Sequence, residues 1–242
     1  MYSEKIGLIG GFGAYATLDF YKRILKEFAS ESERNYPHII MDNNFTMPSR
    51  TKALLYGNDY DEVVLRIAES MKLMLHFNVD KIILVCGTAH FFLDDVYKII
   101  PEAEEKVIDI IEVLGKDLNR KNISNVLVIA AEGTLLKELY PQKLRKYGIS
   151  CINPSQNYYK EIRYFIECVK QNKLNEMLGV EFIGFLNKFS TNNVILGCTE
   201  FPVLVDYIVN NCACEQMKSE LKEYVFYDPL EGVLEDLKRT LQ

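Results

Sequence analysis

Two stretches of this chain repeat one device. Lys81-Ile-Ile-Leu-Val-Cys86-Gly-Thr88 and Asn193-Val-Ile-Leu-Gly-Cys198-Thr199 are each a short apolar run that ends in cysteine, followed by threonine and then a helix-like segment. Short, β-branched apolar runs of this kind read as buried strands rather than helices. They lie about half a chain length apart, which points to two related lobes facing one another. Ligands of open α/β sheets bind at the carboxyl ends of the strands. That rule puts the thiols of Cys86 and Cys198 in one cleft.

The rest of the chain alternates in the same way. Strands are predicted at Lys5–Gly10, His38–Asn44, Lys81–Cys86, Val107–Ile110, Val126–Ala131, Ile149–Asn153, Val194–Cys198 and Tyr224–Tyr227. Helices are predicted from the glycine turn to about Phe28, over Asp61–Phe77, Phe91–Ile100 and then to about Lys121. Further helices are expected at Leu135–Tyr147 (with Pro141 breaking or bending it), Tyr158–Gln171, Leu174–Lys188, Phe201–Val209 and Leu230–Leu241. Within Asp61–Phe77 the residues Val64, Ile67, Met71 and Met74 fall at helical spacing. Strands alternating with helices imply parallel sheets flanked by helices. The expected fold class is therefore α/β with two tandem similar lobes, 1–111 plus about 225–242 and 112–224, and the active site between them.

Composition narrows the partners. A net charge of −6, with no block of lysine or arginine, argues against a nucleic acid and fits an enzyme of small solutes. Met1-Tyr2-Ser3-Glu4-Lys5 leads straight into a strand without a signal-peptide apolar stretch, and no run approaches a membrane span. A cytoplasmic location is expected, with the 6 cysteines as thiols. Cys151, Cys168, Cys212 and Cys214 are read as passive, and no metal is assigned to Cys212-x-Cys214 because no Cys/His partner pair sits nearby.

Two thiols on opposite walls suit one kind of chemistry. Inverting a chiral carbon needs a base on one face and an acid on the other, and a single side chain does not readily reach both. A cysteine with its ordinary pKa of roughly 8.5 supplies thiolate and thiol near neutral pH. A following helix N-terminus is expected to lower that pKa, with Thr88 and Thr199 as caps or carboxylate donors.

Several motifs carry a family resemblance in the right order along nearly the whole chain. They are Gly10-Gly11-Phe12-Gly13, Met47-Pro48-Ser49-Arg50-Thr51, Cys86-Gly87-Thr88-Ala89-His90 and Gly197-Cys198-Thr199-Glu200, with weaker matches at Glu132-Gly133-Thr134 and Val169-Lys170. On these motifs the chain resembles the cofactor-independent aspartate/glutamate racemases, and among them the aspartate racemases. The resemblance implies two α/β lobes, no pyridoxal phosphate, no metal and a homodimer. It also implies Cys86 and Cys198 as the catalytic pair acting on a small acidic amino acid. Arg50 and Lys170 would meet its carboxylates, and Phe12, Gly87, Thr88, Thr199 and Glu200 would complete the pocket.

The chain departs from the family pattern at four places. Gly87 stands where asparagine is usual, Ser49 where aspartate is common, Ala14 where proline often follows the glycine turn, and Ala131 where threonine is common. Gly87 offers only backbone, which leaves aspartate, glutamate and another amino acid open as substrate. Other readings stay open too. Gly11-x-Gly13-x-x-Ala16 with Asp42 fits a dinucleotide fingerprint loosely. Cys86 with His90 has the spacing of a nucleophile pair, although His90 is better read as fixing the turn around the thiol. An amino-acid-binding protein, or an isomerase or decarboxylase of small dicarboxylates, would use the same frame.

Overall fold

The computed structural model describes residues 4–30 and 32–241; Met1–Ser3, Glu31 and Gln242 lie outside the described residues. Its strands form two parallel sheets. In the first, β1 (Lys5–Ile9) lies between β2 (His38–Asp42) and β3 (Lys81–Leu84). In the second, β4 (Asn125–Ile129) lies between β5 (Ser150–Ile152) and β6 (Asn193–Leu196), with β7 (Val225–Tyr227) beyond β6.

The first sheet is extended past β3 by a single parallel pairing of Val107 with Ile82. Ile82 donates to the Lys106 carbonyl and accepts from the Ile108 N–H. The order second–first–third–fourth thus recurs in both lobes, and Cys86 and Cys198 each follow a third strand. The strand expected at Val107–Ile110 stops at that pairing because Asp109 caps the next helix, accepting from the N–H groups of Ile111 and Glu112.

The helices are α1 (Ala14–Glu27), α2 (Arg50–Tyr56), α3 (Tyr60–His76), α4 (Leu93–Ile99), α5 (Ile110–Arg120), α6 (Glu132–Leu136) and α7 (Leu139–Leu144). They continue with α8 (Tyr159–Lys170), α9 (Glu176–Leu186), α10 (Glu200–Asn211), α11 (Glu215–Leu221) and α12 (Pro229–Leu241). The helix expected over Leu135–Tyr147 is two helices. The break lies at Glu138, which is left-handed at φ 49°. Pro141 falls in the first turn of α7, where its missing N–H costs no intrahelical bond. Helices α2 and α11 were not expected.

The strand-period alternation divides the first sheet's side chains between two cores. Ile9, Ile82 and Leu84 pack with Val64, Ile67, Met71 and Met74 of α3. Ile6, Leu8, Ile83 and Val85 belong to a core continuous with β4, β6, α5, α8 and α12 of the second lobe. Each fully buried aliphatic side chain contributes roughly 1.5–3 kcal/mol, so this shared core ties the lobes together. Residues from about 225 onward were expected with the first lobe. Helix α12 does lie against α1 of that lobe, as well as α5, but β7 hydrogen-bonds to β6 of the second sheet. No described helix is long and apolar enough to cross a membrane.

Candidate active site

A cavity of about 210 Å³ opens where chain leaves the carboxyl ends of β1, β3, β4 and β6. Phe12, Cys86, Thr88, Cys198, Thr199 and Glu200 contribute to its wall, with Arg50 from α2 and Lys170 from α8. The two sulfurs therefore face one space, and the charge of Cys86 bears on Cys198. Gly87 does not contribute to the wall. A Cβ there would lie 2.7 Å from the Gly197 carbonyl oxygen and 2.8 Å from the Tyr140 hydroxyl.

Arg50 begins α2, whose N-terminus is capped by Ser49 accepting from the Lys52 N–H at 3.3 Å. Its guanidinium donates to the carbonyls of Pro48 (2.7 Å) and Phe12 (2.8 Å) and lies 4.9 Å from the Phe12 ring centre. Phe12 thus serves by holding Arg50. Nε of Arg50 is buried without a hydrogen-bond partner, and among the described residues no carboxylate pairs with this arginine. A cation fixed on the cavity wall with no acid partner among the described residues is suited to an incoming carboxylate.

Cys198 donates its Sγ–H to the Glu200 carboxylate at 2.9 Å. Burial, and then the Glu200 charge, push the Cys198 thiol well above its ordinary pKa, against the opposing pull of Lys170. The expected lowering by a helix N-terminus does not dominate here, because a carboxylate and a dry environment outweigh a partial charge. Burial alone would lower the pKa of Lys170, but the charges of Glu200 and Cys198 hold its ammonium above the ordinary value. Its ion pair with Glu167 is loose, at 3.8 Å.

The threonines differ in use. Thr88 Oγ1 shares a 2.8 Å hydrogen bond with Thr134 Oγ1 of α6, joining the lobes under the cavity. Thr199 makes no side-chain cap to α10. His90 is buried; its Nε2 accepts from the Ile110 N–H, so Nδ1 carries the proton and donates to the Cys86 carbonyl at 3.0 Å. Burial lowers its pKa and keeps it neutral. His90 therefore holds the turn that carries Cys86. At the glycine turn, a Cβ on Gly13 would meet the Glu200 carboxylate. A negative charge occupies the place where a dinucleotide's diphosphate would approach, which removes the ground for the dinucleotide reading.

A family model described as Asp/Glu/Hydantoin racemase matches residues 9–215. The chain belongs to this racemase family. Among its relatives is a glutamate racemase from Persephonella marina, 27% identical over 167 residues, which cover 65% of this chain and 61% of that one. The matched part thus spans less than two thirds of that relative. A broad specificity amino-acid racemase, RacX, from Bacillus subtilis is 21% identical over 237 residues, covering 92% and 99%. In architecture the chain is similar to Picrophilus torridus aspartate racemase, with a TM-score of 0.80 and 22% identity over 99% of this chain and 94% of that one.

Beside the residues recognised from sequence, this racemase-family pocket includes Arg163, which is ion-paired to the buried Glu132. Arg163, Ile166, Glu167 and Lys170 all line the cavity from one face of α8. Their spacing of three, four and seven residues was the available signal.

Proposed function

We propose that the protein interconverts the L and D forms of a small amino acid by moving the α-proton between Cys86 and Cys198, without a cofactor. The observation that carries this reading is that both thiols line one cavity whose wall also holds an arginine with no acid partner. Arg50 fixes the substrate's α-carboxylate as a fork. Lys170 holds a second carboxylate, and its charge favours loss of the α-proton by stabilising the negative charge that develops. An acidic amino acid, aspartate or glutamate, uses both cations.

Glu200 and burial keep Cys198 protonated, so Cys198 begins as the acid and Cys86 as the base. Cys86 removes the α-proton on its side while Cys198 delivers its own to the opposite face. The pair is left exchanged, with Cys198 the thiolate beside Lys170, ready for the other enantiomer. Thr88 and Thr199 on the cavity wall orient the substrate. The reading includes a cytoplasmic homodimer, on the family resemblance.

Cys86→Ser and Cys198→Ser each lose at least about 1000-fold in interconversion of aspartate and glutamate, since a serine hydroxyl is a far weaker acid and base at neutral pH. Chiral chromatography of the reaction mixtures measures this. Unchanged turnover in either variant defeats the scheme.

A further inference from the structure

Tyr140 is 1% exposed and sits on α7 with its ring between the two turns that carry the cysteines. Its hydroxyl donates to the Gly197 carbonyl at 3.2 Å, the peptide immediately before Cys198. A Cβ on Gly197 would lie 2.9 Å from the Tyr140 ring, and a Cβ on Gly87 would lie 2.8 Å from its hydroxyl. One phenol thus fills the space beside both glycines, and each glycine adjoins a cysteine. Burial, followed by the charges of Cys198, Asp228 and Cys86, holds the phenol's pKa well above the ordinary value, so it stays a donor throughout.

We propose that Tyr140 is a positioning residue: a buried spacer that fixes the Gly197–Cys198 turn against the Cys86–Gly87 turn, sets the gap between the sulfurs, and excludes any side chain at position 87. Its kinetic consequence rests on the racemase reading given above. Gly197 is anchored on its other side by its own N–H, which donates to the Ile129 carbonyl at 2.8 Å. The hydroxyl of Tyr140 supplies the second fixed point, and without it the peptide before Cys198 is free to tilt. Gly87 then answers to two neighbours, the Gly197 carbonyl oxygen at 2.7 Å from an added Cβ and the Tyr140 hydroxyl at 2.8 Å, and Tyr140 holds that carbonyl in place. The absence of a polar side chain beside Cys86 reflects space already taken.

Tyr140→Phe keeps the ring and removes only the hydroxyl. Site-resolved alkylation by iodoacetamide is followed at Cys198, with Cys151 and Cys168 as internal references. The expected result is alkylation of Cys198 faster by roughly five-fold, the scale of one lost neutral hydrogen bond, with the references unchanged. Unchanged alkylation of Cys198 overturns the proposal, and so does equal acceleration at all three cysteines, which would mean general loosening.

In turnover with aspartate or glutamate, kcat falls roughly ten-fold while KM moves by less than about two-fold, because geometry between the thiols is lost and carboxylate binding is kept. A raised KM with unchanged kcat contradicts the assignment. Gly87→Ala costs less activity in the Tyr140→Phe background than in the wild type, since the two share one space; equal cost in both backgrounds counts against it. If Gly87→Ala does not fold, the alkylation comparison decides alone. Should the wild type turn over no amino acid, the racemase reading fails, while the alkylation result still settles the place of Tyr140.

Discussion

At the residue scale, burial first and one carboxylate second hold the Cys198 thiol protonated. Glu200 is 3% exposed, accepts a hydrogen bond from the Cys198 thiol and stands in the space left by Gly13. Its negative charge disfavours the Cys198 thiolate, so Glu200→Gln lowers the pH at which Cys198 becomes reactive. Burial remains, and the midpoint stays above that of a free thiol. The pH dependence of Cys198 alkylation measures this, and an upward or absent shift contradicts it. The thiol pair was legible because a strand–cysteine–threonine device occurs twice. Arg50 and Lys170 came from resemblance alone, since a charged residue in a loop or on a helix face looks like any solvated charge. The Cys198–Glu200 bond and the Glu132–Arg163 pair depend on rotamers and on contact between elements remote in sequence. Gly87 was read as a missing side chain, and its reasons, the Gly197 carbonyl and Tyr140 on another helix, leave no local trace.

Among the elements, α2 and α6 form the seam on which the placement of Arg50 depends. A Cβ on Gly133 of α6 would lie 3.0 Å from the Leu54 side chain and 3.2 Å from the Thr51 backbone, so the two helices touch closely there. Gly133→Val forces α2 outward. Overpacking of this kind costs about 1–3 kcal/mol, a fall of several degrees in melting temperature for a chain of this size. KM rises with it because Arg50 begins α2. Gly184→Ala on α9, where an added methyl meets nothing within 4 Å, leaves both unchanged or raises stability. Calorimetry and steady-state kinetics of the two variants check the contrast. Helix α2 was missed because its seven residues fall below the length at which periodicity speaks. Its Ser49 cap and the left-handed Gly57 after it were the readable marks. The strand at Val107 was overextended for the opposite reason, an apolar run that a capping aspartate turns into a helix.

For the whole molecule, the repeat gives two lobes of one strand order, but the core does not respect the division. Ile6, Leu8, Ile83 and Val85 of the first sheet lie in the same apolar cluster as β4, β6 and α12. Arg23 of α1 also pairs with Asp228, just before α12, at 2.6 Å. Heat denaturation is therefore expected as one cooperative transition with the lobes melting together; two resolved transitions would show that the shared core is not what holds them. A cleft built on one continuous core keeps the cysteine-bearing strand ends at a fixed separation. In the proposed scheme that fixed separation lets one thiol give while the other takes. The decisive measurement runs the reaction from a single enantiomer of aspartate or glutamate in deuterated water and reads the α-hydrogen in both product and unreacted substrate at early conversion. Two thiols on opposite faces predict deuterium throughout the product and protium still in the remaining substrate. Equal wash-in of deuterium into both, or none in either, would contradict the account.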